Sequence, residues 1–165
     1  MLTEPEVVAR PAQPYAAIVA HVTMRTLGET LPPLHPQVSA WLHERSMVPT
    51  GPPFWKYNVV DMERELEVEV GLPVAAPLDG DSEVSGGMLP AGQYATARYT
   101  GHPDGLAGAT AVLLDWAEKQ HLTWDMTPTP DGDRWGARLE IYETDPAIEP
   151  DMSKWTTQLA FRLAD

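Results

Sequence analysis

An imperfect internal repeat constrains this chain more than any other feature. Pro11-Ala12-Gln13-Pro14-Tyr15-Ala16 resembles Pro90-Ala91-Gly92-Gln93-Tyr94-Ala95, and Trp41-Leu42-His43-Glu44 recurs loosely as Trp116-Ala117-Glu118. Phe54-Trp55-Lys56-Tyr57, followed by Asp61, echoes Leu139-Glu140-Ile141-Tyr142, followed by Asp145. Asp61-Met62 opens a segment like the one opened by Asp151-Met152. The offsets are 79, 75, 85 and 90 residues, in the same order along the chain. Four ordered matches predict a duplicated unit of about 80 residues, the alternative being chance similarity in a Pro- and Ala-rich chain. One domain over residues 1–165, with repeats of about 1–78 and 79–165, is the organisation expected for this length.

Each unit reads strand, helix, strand, strand. In the first, Tyr15 to Met24 is an apolar β-run. Pro36 suits a first helical turn, and Val38, Trp41 and Leu42 form a stripe at helical spacing. Phe54 to Val60 is a second strand, and Glu65 to Val70 alternates at period two. In the second unit, Gln93 to Thr100 is a strand, and Leu106, Ala109, Leu113, Trp116 and Ala117 mark a helix reaching about His121. Arg138 to Thr144 and Trp155 to Leu163 close the unit. Pro73 to Gly87 reads as a linker, and Thr127 to Asp133 as a loop. The expected fold is α+β with pseudo-twofold symmetry. A mostly antiparallel sheet carries both helices on one face and a ligand groove on the other.

The charge balance narrows the function. Eleven Lys and Arg against 24 Asp and Glu give a net charge of −13. A nucleic-acid binder needs clustered cations for phosphates, and none cluster here. An anionic membrane is an equally poor partner, whereas cations are attracted. No cysteine is present, which excludes thiol catalysis and disulfides. Met1 to Glu6 has no basic, apolar leader and no run is long enough for a span, so a cytoplasmic location is expected.

Strand alternation then selects candidate site residues. In Arg138 to Tyr142, Leu139 and Ile141 point one way and should pack on the helices; Glu140 and Tyr142 point the other way. Through the repeat, Trp55 matches Glu140 and Tyr57 matches Tyr142. These four should share the helix-free face. Lys56 fits this register poorly, because it would face the helices. Trp135 and Trp155 border the strands and could wall the groove. A carboxylate among π-faces suits an apolar, aromatic cation. The simpler reading makes Glu140 one more solvated acid. The acids Glu63, Glu65, Glu67 and Glu69 read as the wet face of a strand, and the Trp41 and Trp116 stripes as core.

Several segments also resemble a known family. Gly51-Pro52-Pro53-Phe54-Trp55-Lys56-Tyr57, Val70-Gly71-Leu72-Pro73-Val74 and Leu89-Pro90-Ala91-Gly92-Gln93-Tyr94-Ala95 look like the GyrI-like small-molecule-binding domain. So do Leu139-Glu140-Ile141-Tyr142, Asp145-Pro146 and Ser153-Lys154-Trp155-Thr156. The resemblance runs from about Val7 to Leu163. It implies the effector-binding half of AraC-type and MerR-type multidrug regulators, here stand-alone, because no residues remain for a helix-turn-helix. An acid at the place of Glu140 would pair with lipophilic aromatic cations for multidrug sequestration, with aromatic residues stacking on them. It implies two alternatives. One is hydrolysis of reactive cyclopropane-bearing genotoxins, with Glu140 activating water and Tyr57 or Tyr142 giving a proton. The other is a gyrase-inhibitor-like protein partner role. The five histidines lack metal-ligand spacing, Gly101 to Gly108 lacks the phosphate-loop lysine, and Ser85-Gly86-Gly87 is no nucleophile elbow. No metal and no cofactor are expected.

Overall fold

A computed structural model describes residues 1–165. Ten strands are present: β1 (Glu6–Arg10), β2 (Gln13–Val22), β3 (Phe54–Val60), β4 (Leu66–Pro73), β5 (Ser85–Leu89), β6 (Gly92–Thr100), β7 (Met126–Thr129), β8 (Gly132–Trp135), β9 (Arg138–Tyr142) and β10 (Thr156–Arg162). The helices are α1 (Leu27–Thr30), a single turn, α2 (Leu34–Glu44) and α3 (Leu106–Lys119). The architecture is α+β, with every strand pairing antiparallel.

The sheet order is β1-β6-β10-β9-β3-β4-β2-β5, with the β7–β8 hairpin attached through β8 to β3. Outward from the β3–β9 contact, one side runs β4, β2, β5 and the other β10, β6, β1. β1 precedes β2 in sequence but pairs with β6, and β5 precedes β6 but pairs with β2.

Period two in β4 produces the main core. Leu66, Val68 and Val70 have no exposed surface and pack with Ala109 and Leu113 of α3 and with Leu159 and Phe161 of β10. Val38, Trp41 and Leu42 of α2 meet Ala16 and Leu72. At about 25 cal/mol per Å² of apolar surface, each such buried leucine or valine contributes roughly 1.5–3 kcal/mol. The other sheet face holds a second apolar cluster with no helical residue: Tyr15, Ala17, Phe54, Leu89, Tyr94, Ala137, Leu139, Ile141 and Ala160. These come from both ends of the strand order, so the sheet curls until its own side chains close that face.

Both helices, α2 and α3, lie on one face, as expected, but the face assigned to the candidate residues is corrected. Trp55 pairs across the ladder with both Glu140 and Val70, and Glu140 pairs with Leu159. Directly opposed residues share a face. Glu140, Tyr142, Trp55 and Tyr57 therefore lie on the face that carries α2 and α3. Leu139 and Ile141 are apolar because of the curl, not because of the helices. Lys56 needs no route past a helix, since it lies on the helix-free face against Glu69, 3.2 Å away. Glu69 is 8% exposed, so the wet-face reading of its strand holds for Glu65, which is exposed, and fails for Glu69.

Two segments read as irregular contain strands. Residues 127–133 form most of the β7–β8 hairpin, turning at Gly132 with φ +134°. Pro128 is tolerated because β7 pairs only with β8 and is an edge strand. The segment read as a linker ends in β5, another edge strand, where Gly87 lets the Tyr15 ring approach. A Cβ there would sit 2.4 Å from that ring.

Candidate functional site

β9 and β3 present the candidate residues side by side because their ladder pairs Trp55 with Glu140. Glu140 is partly exposed, as are Trp55, Tyr57 and Tyr142. The Tyr57 hydroxyl donates to Glu140 Oε1 at 2.9 Å, and the Tyr142 hydroxyl donates to the same oxygen at 2.6 Å. Oε2 takes no hydrogen bond from the protein and is not among the fully buried atoms. The four residues grouped by alternation are thus one connected cluster.

The electrostatics follow from this enclosure. Burial pushes the Glu140 carboxyl above its ordinary value, while the hydrogen bonds from Tyr142 and Tyr57 and the charge of Arg138 oppose the rise. Burial, then the neighbouring carboxylate, raises both tyrosines well above the usual phenol value. They therefore remain hydrogen-bond donors at neutral pH. The result is a carboxylate with one oxygen held and one free.

Rings form the wall above it. Trp55 and Tyr142 meet edge to face, with centroids 5.1 Å apart and planes at 75°. The Trp55 indole N–H donates to His35 Nε2 of α2 at 2.8 Å. The His35 ring stands perpendicular to Tyr142, 6.2 Å away. To accept that bond, His35 must be neutral with its proton on Nδ1. That Nδ1 is buried without a partner, and burial lowers the residue's pKa. No sequence signal marks His35, which is 20 residues from Trp55 in the chain and reaches it only through α2 docking.

The two remaining candidates lie apart. Trp135 is 6% exposed and meets Trp124 and Phe161 with centroids 5.4 and 5.7 Å apart and planes at 58° and 63°. The Arg138 guanidinium, two residues from Glu140 on the same strand face, lies 5.0 Å from the Trp135 ring. The Trp155 indole N–H is tied to the Glu149 carbonyl at 2.7 Å, and its ring stacks with none of the others. Two open depressions lie elsewhere, and of the candidates only Trp135 lines one of them, the second. One, of about 450 Å³, includes Met24, Met62 and Arg64; the other, of about 370 Å³, includes Lys56, Asn58 and Arg134. No helix is long and apolar enough to cross a membrane.

Comparison with solved structures finds the same fold in several proteins. The C-terminal domain of EcmrR superposes with a TM-score of 0.75 at 17% identity, covering 98% of each chain. Against EcmrR in its DNA complex the TM-score is 0.76, but this chain spans only 57% of that protein. SAV2435, solved bound to tetraphenylphosphonium, gives a TM-score of 0.62 at 8% identity, over 98% of this chain and 94% of that one. A hydrolase from Listeria innocua gives 0.66 at 14% identity, over 98% and 92%. No curated protein matches the sequence. The model of the GyrI-like small molecule binding domain matches residues 3–163. With that match spanning every strand and helix described above, the chain belongs to the GyrI-like small-molecule-binding domain family.

Proposed function

We propose that the protein binds lipophilic, aromatic cations in the groove at Glu140 and acts as a sequestering module for them. One observation carries the reading: two phenols hold Glu140 Oε1, Oε2 takes no hydrogen bond from the protein, and Trp55 and Tyr142 meet as rings on the same sheet face. A carboxylate in a partly desolvated site favours a positive guest, and ring faces favour one that is flat and apolar. The net charge of −13 draws cations towards the molecule. SAV2435, which shares the fold, was solved with tetraphenylphosphonium, a cation of this class. In this reading Trp55, Tyr57 and Tyr142 line the guest, and Trp135 and Trp155 stay outside it. The direct test is calorimetric titration of tetraphenylphosphonium into wild type and Glu140→Gln. One charge-assisted contact is worth roughly 1.5–3 kcal/mol, so the variant should bind about tenfold or more weakly. Equal affinities would remove Glu140 from the reading.

A second reading, hydrolysis of a strained cyclopropane electrophile, draws on the fold shared with the Listeria innocua hydrolase and on the raised carboxyl of Glu140. Oε2 would orient and deprotonate water for attack on a ring carbon, and a proton would pass to the carbon released. A carboxyl lifted towards neutrality makes a better base. The raised tyrosines weigh against their giving up that proton readily. Recovery of such a compound unchanged after long incubation would exclude this reading.

A further inference from the structure

Arg138 stands two residues before Glu140 on the same strand face, and cation binding makes no use of it. Three cationic side chains are buried in this protein: Lys56 and Arg162 at 9% exposure and Arg138 at 7%. Lys56 is satisfied by Glu69 and Asn58. Arg162 donates to the Ala91 and Leu163 carbonyls, Asp125 and Asp165. Arg138 donates to nothing in the protein and has no carboxylate within 4.0 Å, Glu140 included. Its guanidinium lies over three rings, 4.8 Å from Phe161, 5.0 Å from Trp135 and 5.9 Å from Tyr57. Those rings stabilise the charge but accept no in-plane hydrogen bond. A guanidinium has five N–H donors in a rigid fork, and burying one without an acceptor is costly. None of its nitrogens is among the fully buried unpartnered atoms, so the fork keeps some exposed surface.

One strand face therefore carries an acceptor without a donor, Glu140 Oε2, and a donor fork without an acceptor, Arg138. At about 3.3 Å of rise per residue, positions two apart are roughly 7 Å from each other, within the span of one fused-ring molecule. Resting on the cation-binding reading, the geometry points to a dipolar ligand: an aromatic molecule whose cationic end meets Glu140 and whose carboxylate, or similar anionic oxygen group, Arg138 holds in a bidentate pair. Arg138 is then the residue that separates zwitterions from simple cations, which it repels. Planar oxyanions suit a guanidinium better than any other side chain.

Rhodamine B and its ethyl ester make a matched test. Both carry the same xanthylium cation, and only the former has a free carboxylate at neutral pH. By fluorescence polarisation the wild type should bind rhodamine B about tenfold or more tightly than the ester. In Arg138→Gln that preference should fall to about threefold or less, and the ester should bind more tightly than it does to the wild type. Arg138→Lys, which keeps the charge without the fork, should retain part of the preference. The wild-type comparison needs no variant, so a misfolded Arg138→Gln protein does not spare the inference. Equal or better binding of the ester to the wild type overturns the dipolar ligand and leaves cation binding standing. Binding of neither dye while tetraphenylphosphonium binds has the same meaning. Failure of both dyes and of tetraphenylphosphonium to bind overturns the underlying reading as well.

Discussion

Replacing Glu140 by glutamine keeps an acceptor for the Tyr57 and Tyr142 hydroxyls, now 2.9 and 2.6 Å from Oε1, and removes only the charge. A cation about 4 Å from Oε2, at an effective dielectric of about 20, would gain roughly 4 kcal/mol from that charge. Desolvation of the guest takes back part, leaving about 1.5–3 kcal/mol, or roughly a 10- to 150-fold change in Kd. The pH dependence sharpens the test. The Glu140 carboxyl titrates above its usual range because of burial, so acid should weaken cation binding before an ordinary glutamate protonates. Affinity should fall as pH drops through that raised pKa, approaching tenfold per unit below it, while Glu140→Gln shows a flat profile. Stability should move the opposite way. A folded pKa above the unfolded one gives a contribution fully present below the unfolded pKa and lost as pH rises through the folded value. At neutral pH the ionised carboxylate therefore costs stability. Glu140→Gln should be as stable as wild type or more so in urea, with the difference shrinking in acid. Calorimetry across about pH 5–8 with matched urea melts reads both arms. A wild-type affinity that is flat over this range and equal to that of the variant would refute the reasoning.

Three further outcomes follow from the packing. His35 is neutral and lowered by burial, so NMR titration of its ring should give a pKa below the ordinary histidine value; its contribution to stability is full above about pH 6.5 and is lost as pH falls towards the folded pKa. Lys56→Met leaves Glu69 buried with only Tyr15 and Asn58 as partners and should cost about 3–5 kcal/mol in urea unfolding, whereas Lys56→Met combined with Glu69→Leu should cost much less. Gly71→Ala puts a Cβ 2.6 Å from the Phe54 ring and should cost about 1–3 kcal/mol in the same assay, with Phe54→Leu relieving part of it.

The grouping of Glu140, Trp55, Tyr57 and Tyr142 was legible because side chains alternate along a strand whatever surrounds it. That parity depends only on local backbone geometry, and the aligned segments put the four on one face, whereas the β3–β9 pairing itself came from the structure. Leu66 to Val70, the α2 stripe and the α3 stripe were readable for the same local reason. Parity carries no sign, however: it tells which residues share a face, never which face the helices cover. Leu139 and Ile141 look like helix-facing residues, yet their cover is Tyr15, Phe54 and Tyr94, brought over by the curl of the sheet. The edge strands β1, β5 and β7 escaped notice because exposed and Pro- or Gly-bearing segments lack the apolar pattern of central strands. Arg138 could have been placed beside Glu140 by counting two residues back, but nothing along the chain says that its charge has no partner.

Local sterics thus set element type and side-chain parity from the amino acids alone. Docking α2 so that His35 pins Trp55, burying Lys56 against Glu69, and leaving Arg138 unanswered over three rings all depend on residues far apart in sequence. Those contacts exist only after the loops have closed and the sheet has curled, because their energies come from distance and desolvation, which no stretch of neighbouring residues contains.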